Sequence, residues 1–245
     1  MNQAIGKVYR FFLVILLLVL GVSLERTGLI EYLKDPYELG YTISLLKQHL
    51  LLVGISMIMA TILGLGIGII FTRPAFKRYA GIAMYIVGLG QTIPSLAVIA
   101  LAMSIIGIGF KAAVFALFVY SVLPIARNTM AGIRSIPAWM IDAARGMGMP
   151  NLPILFQVEI PNAMNVIITG FRVSIVINIG TAALAFLIGA GGLGEHIFIG
   201  IDLMRPDKLL AGAIPIVLLA LAVDYVCELL GYAVVPRGLR MRKEI

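Results

Sequence analysis

Long apolar runs dominate the pattern of this chain, and polar residues collect in short stretches between them. A helix needs roughly 20 mostly apolar residues to cross a bilayer. Strict alternation of apolar and polar positions, the mark of barrel strands, does not extend over such lengths. The pattern therefore predicts an all-α membrane protein of about six transmembrane helices. The predicted spans are about 9–27, 47–72, 79–106, 111–133, 163–189 and 208–233.

Composition supports this class. Hydrophobic residues make up 61% of the chain and charged residues only 13%, which is about half the usual share in soluble domains. The net charge of +7 would suit a nucleic-acid partner. However, Lys and Arg lie between the apolar runs and at the chain ends, so we expect a lipid bilayer and no nucleic acid. The single cysteine, Cys227, rules out an internal disulfide.

The distribution of basic residues predicts the orientation. Of the 19 Lys and Arg residues, 12 fall on one side and 6 on the other if the amino terminus is cytoplasmic, with Arg172 inside a span. Because cytoplasmic loops carry the excess of basic residues, both termini are expected in the cytoplasm of a bacterial inner membrane. The run 11–24 resembles a secretory signal but lacks a small-x-small cleavage site, so we interpret it as a retained first span.

These spans suggest a simple organisation. Residues 1–45 would form an N-terminal transmembrane helix and an extracytoplasmic segment. Residues 46–235 would form one transmembrane domain, whose longest non-spanning piece is the cytoplasmic loop 134–162. A basic tail, 236–245, would follow in the cytoplasm.

Two short helices are predicted in the loop 134–162. Ser135 can cap the first helix, and Gly148 can end it in a left-handed conformation. Asn151 can cap the second helix, which Pro161 would end before the fifth span. The loop would then be a compact helix–turn–helix on the cytoplasmic side.

The first of these helices carries two small residues, Ala143 and Ala144, flanked by the larger Trp139, Met140 and Met147. Such a surface suits insertion into a groove of a partner protein. An amphipathic helix lying on lipid headgroups would have a similar pattern. The residues alone leave both interpretations open.

The loop resembles the EAA loop of ABC importer permeases: Glu-Ala-Ala, three residues, Gly, nine residues, then Ile-x-Leu-Pro. Here Asp142-Ala143-Ala144 stands three residues before Gly148, and nine residues separate Gly148 from Val158-Glu159-Ile160-Pro161. Asp, Val and Ile replace Glu, Ile and Leu, which keeps the charge or the apolar character. In that family the loop is the coupling helix, seated in a cleft of the ATP-hydrolysing subunit. The resemblance implies ATPase-coupling roles for Asp142, Ala143, Ala144, Gly148, Val158, Ile160 and Pro161.

Further stretches resemble the permeases for betaine, carnitine and choline, and together they cover roughly 45–235. The resemblance implies the type I importer (MetI-like) fold and a permease subunit for small osmoprotectants. It also implies an ATP-binding subunit, an extracytoplasmic solute-binding protein, and a second copy or a similar permease as partners. The stretches are 90–97, 123–129, 146–149, 176–182 and 188–194.

No Walker loop, G-x-x-x-x-G-K-[ST], occurs in the sequence. ATP would therefore be bound by the partner subunit, and we expect no cofactor in this chain and no enzymatic activity of its own. Three other functions stay open. The same machinery could carry another small zwitterion, such as ergothioneine or an amino acid. An ion-gradient-driven transporter would make Asp224 or Glu228 essential. A membrane scaffold would make the EAA spacing a coincidence.

Polar and helix-breaking residues inside spans are candidates for the translocation pathway. Gln91 and Pro94 belong to the third-span stretch, and Asn178 lies deep in the fifth span. Pro94 and Pro124 should kink their helices, either beside a pathway or as simple curvature.

Charges inside spans have two interpretations as well. Asp224 and Glu228 share one helix face and could bind a cation or relay protons. We favour a structural ion pair near Arg237 and Arg240, or contact with water, at the cytoplasmic end of the span. Arg172 is expected to snorkel to the cytoplasmic headgroups.

Glycines suggest two further features. Gly64, Gly66 and Gly68 give a small-xxx-small spacing, suited to packing within the chain or to a dimer face. Gly189, Gly191 and Gly194 match G-x-G-x-x-G, but no strand is expected before them, so we predict a tight outer turn rather than a nucleotide site. We list Gly191 and Gly192 as hinges of an outer gate. His49 and His196 are far apart in sequence, and no metal site is predicted.

Overall fold

The structure is a computed structural model that describes residues 21, 25–90 and 92–234. These residues form helices joined by short turns and contain no strand. A 3-10 turn, Lys77–Tyr79, precedes the third helix. The helices are α1 (Leu29–Lys34), α2 (Pro36–Ile70), α3 (Ala80–Gly90), α4 (Ser95–Ile106), α5 (Phe110–Arg134), α6 (Ala138–Gly146), α7 (Asn151–Ile188), α8 (Gly194–Asp202) and α9 (Pro206–Val234).

Four of these helices are long and apolar enough to cross a membrane, namely α2, α5, α7 and α9. They correspond to the predicted second, fourth, fifth and sixth spans. The predicted first span, about 9–27, falls mostly outside the described residues. The basic tail 236–245 and Gln91 lie wholly outside them.

The predicted third span is not one helix, and this expectation was wrong. The chain forms α3 and α4 on either side of Pro94, whose carbonyl accepts from the amides of Ala97 at 2.9 Å and Val98 at 3.2 Å. Proline has no N–H to donate and disfavours helical backbone at the residue before it, Ile93. Pro94 therefore starts α4 instead of lying inside a kinked span. Pro124, in contrast, lies inside the continuous α5.

The second cytoplasmic helix also differs from the prediction, because Pro161 does not end it. The helix runs on as α7, 38 residues long, and contains a π-helical segment, Ile154–Glu159, that ends two residues before Pro161. In this winding the Ile160 amide bonds the Leu155 carbonyl, five residues back. In a π-helix each backbone amide bonds the carbonyl five residues back. This winding therefore does not need the hydrogen bond to the fourth residue back, which Pro161 cannot make. Asn151 is the first residue of α7, and Pro150 occupies the cap position.

The core lies where α2, α5 and α7 meet, and it includes Leu52, Leu117, Ile125 and Ile179. Glycines let α2 approach α5 closely. A methyl group on Gly64 would lie 2.8 Å from Ile125 Cβ, and one on Gly68 would lie 2.5 Å from Thr129 Cβ. For these two glycines, packing within the chain is the correct interpretation.

A Gly68→Ala substitution is expected to destabilise the protein, because the added methyl group has no room against α5. Overpacking of this kind costs about 1–3 kcal/mol. Gly66→Ala is the matched control, since nothing lies within 4 Å of a methyl group there. Thermal unfolding of the detergent-purified variants checks the expectation. Equal unfolding midpoints for the two variants would contradict the close approach.

Candidate functional site

The helix α6, predicted to lie on the cytoplasmic side, ends as the sequence predicts but does not begin as predicted. Gly148 has φ +79°, its amide bonds the Arg145 carbonyl at 2.9 Å, and the Met149 amide bonds the Ala144 carbonyl at 3.1 Å. These paired bonds are a Schellman stop. Ser135 does not cap α6, because it ends α5, where its hydroxyl donates to the Gly132 carbonyl at 2.8 Å.

The residues of the EAA pattern divide between two elements. Ala144 is 2% exposed, whereas Asp142, Ala143 and Gly148 are exposed on α6 and its stop. Val158, Ile160 and Pro161 are partly buried at the start of α7. The α6 helix packs against the π-helical segment of α7, where Ile154 and Leu155 are buried.

Large apolar side chains are exposed around α6. Trp139 is 67% and Met147 75% exposed, one before and one after the small residues. The helix thus presents an apolar, small-residue surface while its buried side is fixed to a membrane-spanning helix. A displacement of α6 can therefore be transmitted to α7.

A second constellation lies at the other end of the molecule, in the turn between α7 and α8. Gly189, Gly191 and Gly192 have φ of +74°, +73° and +87°, which is left-handed backbone that favours glycine. A helix rather than a strand precedes the turn, as predicted, and this does not fit a dinucleotide fingerprint.

Side chains of α2 hold this turn, a feature that the sequence did not reveal. The Gly192 amide donates to Gln48 Oε1 at 3.1 Å. A methyl group on Gly191 would lie 2.2 Å from the same oxygen, and one on Gly192 would lie 3.4 Å from His49 Nδ1. His49 is fully buried, and its Nε2 lies 3.0 Å from the Ile179 carbonyl of α7. The gate role of Gly191 and Gly192 stays a prediction.

Polar contacts also fasten α8 to the start of α2. His196 is fully buried, with Nε2 2.9 Å from Thr42 Oγ1, and the Thr42 hydroxyl donates to the Glu38 carbonyl at 2.8 Å. The Tyr41 hydroxyl donates to Glu195. Burial, and then the charge of Lys208, lower the pKa of His196, which disfavours the charged form of this imidazole. No cluster of metal-ligating side chains occurs in the part of the chain that the structure describes.

Asn178, a predicted pathway residue, is fully buried in α7. Its amide nitrogen donates to Ser121 Oγ of α5 at 2.6 Å and to Ser56 Oγ of α2 at 3.0 Å. These bonds supply the partners that a deeply buried amide needs, and they join three spans. A role of Asn178 in the pathway itself stays a prediction.

Arg172 does not snorkel to the headgroups, because it has partners inside the protein. Its guanidinium makes a bidentate ion pair with Asp224 of α9, with Nη2 2.5 Å from Oδ2, and lies 3.4 Å from Glu228. Asp224 and Glu228 therefore each form an ion pair, as favoured, but their partner is Arg172. The predicted partners, Arg237 and Arg240, lie outside the described residues. Pairing offsets the cost of charges within a span.

Comparison with known proteins places this geometry in a family. The family described as "Binding-protein-dependent transport system inner membrane component" matches residues 64–237. The chain belongs to this family. It is therefore a multi-pass inner-membrane transport component rather than an enzyme, and transport systems of this kind include ATPase and binding-protein subunits.

Curated relatives of this transport component are permeases. The osmoprotectant import permease protein OsmY of Salmonella typhimurium is 45% identical over 225 residues, which cover 92% of this chain and 94% of the relative. The carnitine transport permease protein OpuCB of Listeria monocytogenes is 42% identical and covers 80% and 89%. The chain is thus similar over most of its length to permeases of osmoprotectant importers.

Solved structures confirm the predicted MetI-like importer fold. An inward-facing structure of the MetNI methionine ABC transporter matches with a TM-score of 0.73 and 23% identity, over 82% of this chain and 100% of that one. An amino acid ABC transporter solved with histidines matches with a TM-score of 0.68 and 21% identity, over 82% and 98%. At these identities the likeness concerns the fold alone.

Proposed function

We propose that this permease forms the translocation path of an ATP-driven importer for small osmoprotectants of the betaine, choline and carnitine type. The substrate class rests on relatives whose names state osmoprotectant and carnitine transport. The proposed coupling of the permease to an ATPase rests on α6. This exposed helix of small and apolar residues packs directly on a membrane-spanning helix.

Separate subunits would carry ATP and provide the affinity for the solute. The ATPase would bind ATP and receive α6 in a groove. Quaternary ammonium groups are usually held by aromatic cages, yet the single tryptophan, Trp139, lies on α6. Affinity would therefore reside in an extracytoplasmic binding protein. A second copy of this chain, or a similar permease, would complete the path, with both termini in the cytoplasm.

The two states of such a machine differ only through contacts that nucleotide and binding protein make unequally in each state. ATP-driven closure of the ATPase pair would displace α6, and α7 would carry that displacement into the bilayer. An ion-gradient mechanism is less well supported, because both candidate carboxylates, Asp224 and Glu228, already bond Arg172.

Co-purification with the candidate ATPase tests the coupling role. Ala143→Arg puts a long charged side chain on the exposed face of α6, and Ala144→Trp puts a bulky one at its buried side. Both are expected to lower ATPase recovery at least about tenfold, a loss on the scale of interface hot spots. Gly40→Trp, at an open position near the outer end of α2, is the control. Full ATPase recovery with Ala143→Arg would contradict the proposal.

Uptake measurements test the substrate class. Proteoliposomes with the permease, its ATPase and the binding protein should accumulate labelled betaine, choline or carnitine only when ATP is enclosed with the ATPase. Competition by ergothioneine and amino acids distinguishes the alternative zwitterions. Uptake driven by an ion gradient without the ATPase would refute the ATP-driven mechanism.

A further inference from the structure

An ion pair joins the end of α2 to the base of α7, where Glu159 occupies the variable position of the EAA pattern, between Val158 and Ile160. Nη2 of Arg73 donates to the Glu159 carboxylate. The Glu159 side chain is 12% exposed and that of Arg73 is 27% exposed. The pair is thus largely shielded from water, where ion pairs are screened less than on an open surface.

Hydrogen bonds to the end of α2 also hold the Arg73 side chain in place. Its Nε donates to the Ile69 carbonyl at 3.3 Å, and its Nη2 donates to Thr72 Oγ1 at 2.9 Å. The Thr72 hydroxyl donates in turn to the same Ile69 carbonyl at 2.6 Å. The last carbonyls of a helix lack intrahelical partners and favour a cation. The guanidinium is therefore fixed to the end of α2.

Glu159 lies near the start of α7. It is the last residue of the π-helical segment, and this segment is the one that packs against α6. Ala144 of α6 and both Ile154 and Leu155 of the segment are buried. A displacement of α6 therefore reaches Glu159 through one packed contact.

A cavity borders the pair on one side. A cavity of about 540 Å³ lies between the end of α2 and the base of α7, and its lining includes Arg73, Arg145, Asn151 and Glu159. The ion pair lies between this cavity and a small apolar cluster that includes Ile69 of α2 and Ala163 of α7, so it adds a polar link to the packed contact there. Glu159 is the one acidic residue in the cavity lining, so its removal would leave two arginines facing the same space.

Gln48 and His49, in the first half of α2, hold the outer glycine turn. Gln48 accepts from the Gly192 amide, and His49 lies against the same glycine. From Gln48 to Ile70 α2 is one unbroken helix. A helix behaves as a rigid rod on this scale, about 1.5 Å per residue. Movement imposed at Arg73 is therefore delivered at the turn.

We propose that Arg73 and Glu159 form an inner latch that transmits displacement of α6 to α2, and through α2 to the outer glycine turn. They are positioning residues that act through α2 and α7. The inference rests on the proposed function, because it assigns α6 as the element that the ATPase moves. Without the latch, ATP hydrolysis continues while the outer turn no longer follows α6.

A charge exchange tests the latch in proteoliposomes that contain the ATPase and binding protein. Arg73→Glu and Glu159→Arg each are expected to lower solute uptake per ATP hydrolysed about tenfold, within the range of coupling energies between contacting residues. The double exchange is expected to recover to within about threefold of the parent, because the pair is restored with reversed polarity. ATPase co-purification is expected to stay at the parental level throughout.

Two further variants cover other outcomes. Glu159→Gln keeps the volume and removes the charge, so it reports on the latch even if the exchanged pair does not assemble; it too is expected to uncouple uptake from hydrolysis. Asp207→Asn breaks the ion pair with Arg205, which lies just before α9 and outside the latch, and is expected to leave coupling unchanged.

Parental coupling in Glu159→Gln, or in both single exchanges, would overturn the latch. So would uncoupling of the same size in Asp207→Asn. Failure of the proposed function is distinct from all of these outcomes, because the parent protein itself would then neither recover the ATPase nor accumulate solute with ATP.

Discussion

Gly191→Val is expected to abolish solute uptake while the permease still recovers its ATPase subunit. A β-branched residue at φ +73° is strained, by about 1–2 kcal/mol for left-handed backbone alone. Its Cβ would also lie 2.2 Å from Gln48 Oε1, so Gln48 must leave its bond with the Gly192 amide. The link between α2 and the outer turn is then lost at a distance from α6. Uptake in proteoliposomes and ATPase co-purification measure the two properties separately.

Two further variants sharpen this test. Gly192→Val meets His49 less tightly, at 3.4 Å, but at φ +87° it is expected to give the same loss of uptake. Gly28→Val has a similar backbone, φ +75°, with its nearest neighbour 4.0 Å away, and is expected to transport normally. Normal uptake by both turn variants would show that the turn is no gate. Loss of ATPase recovery would instead show a purely structural role.

Gly194→Ala is expected to prevent accumulation of folded protein, the largest effect on stability that any single methyl group should have here. The added Cβ would lie 1.8 Å from the Ala183 carbonyl oxygen and 2.6 Å from its carbon. Both atoms belong to backbone that cannot rotate away, so the start of α8 must separate from α7. The cost should exceed the usual overpacking range of about 1–3 kcal/mol.

Gel filtration of detergent extracts measures this effect directly. Gly40→Ala is the control, because it adds the same methyl group to α2 with nothing within 4 Å and should even favour the helix slightly. A Gly194→Ala protein that elutes and unfolds like the parent would show that α8 does not approach α7 as closely as described.

Sequence patterns were sufficient for features that depend on local chemistry. Runs of apolar residues long enough for a bilayer located four of the spans, since lipid demands helices there. Gly148 was correctly predicted as a left-handed stop, and Gly189 and Gly191 as parts of a tight turn, whereas Gly194, also assigned to that turn, begins α8. The EAA spacing led to the family that the comparisons established.

Features that depend on distant partners could not be obtained in this way. Nothing near Arg172 in the sequence indicates Asp224, 52 residues away, and nothing near Gln48 indicates Gly192. From the sequence alone, Pro161 predicts a helix end, because proline cannot make the usual backbone hydrogen bond. The π-helical segment that precedes it packs against α6, and the sequence does not reveal that contact. Pro94 gave the opposite error, since a kink and a complete break follow from the same missing N–H and only tertiary context decides between them.

The last seven residues of α7, Ala182–Ile188, are wound as a 3-10 helix. Such winding rises about 2.0 Å per residue against about 1.5 Å in an α-helix, so this piece is about 3.5 Å longer than an α-helix of the same residues. The Ile179 carbonyl just before it is the one that faces His49. This piece of α7 therefore extends further along the helix axis than α winding would, and a return to α winding would draw the glycine turn closer to the Ile179 carbonyl.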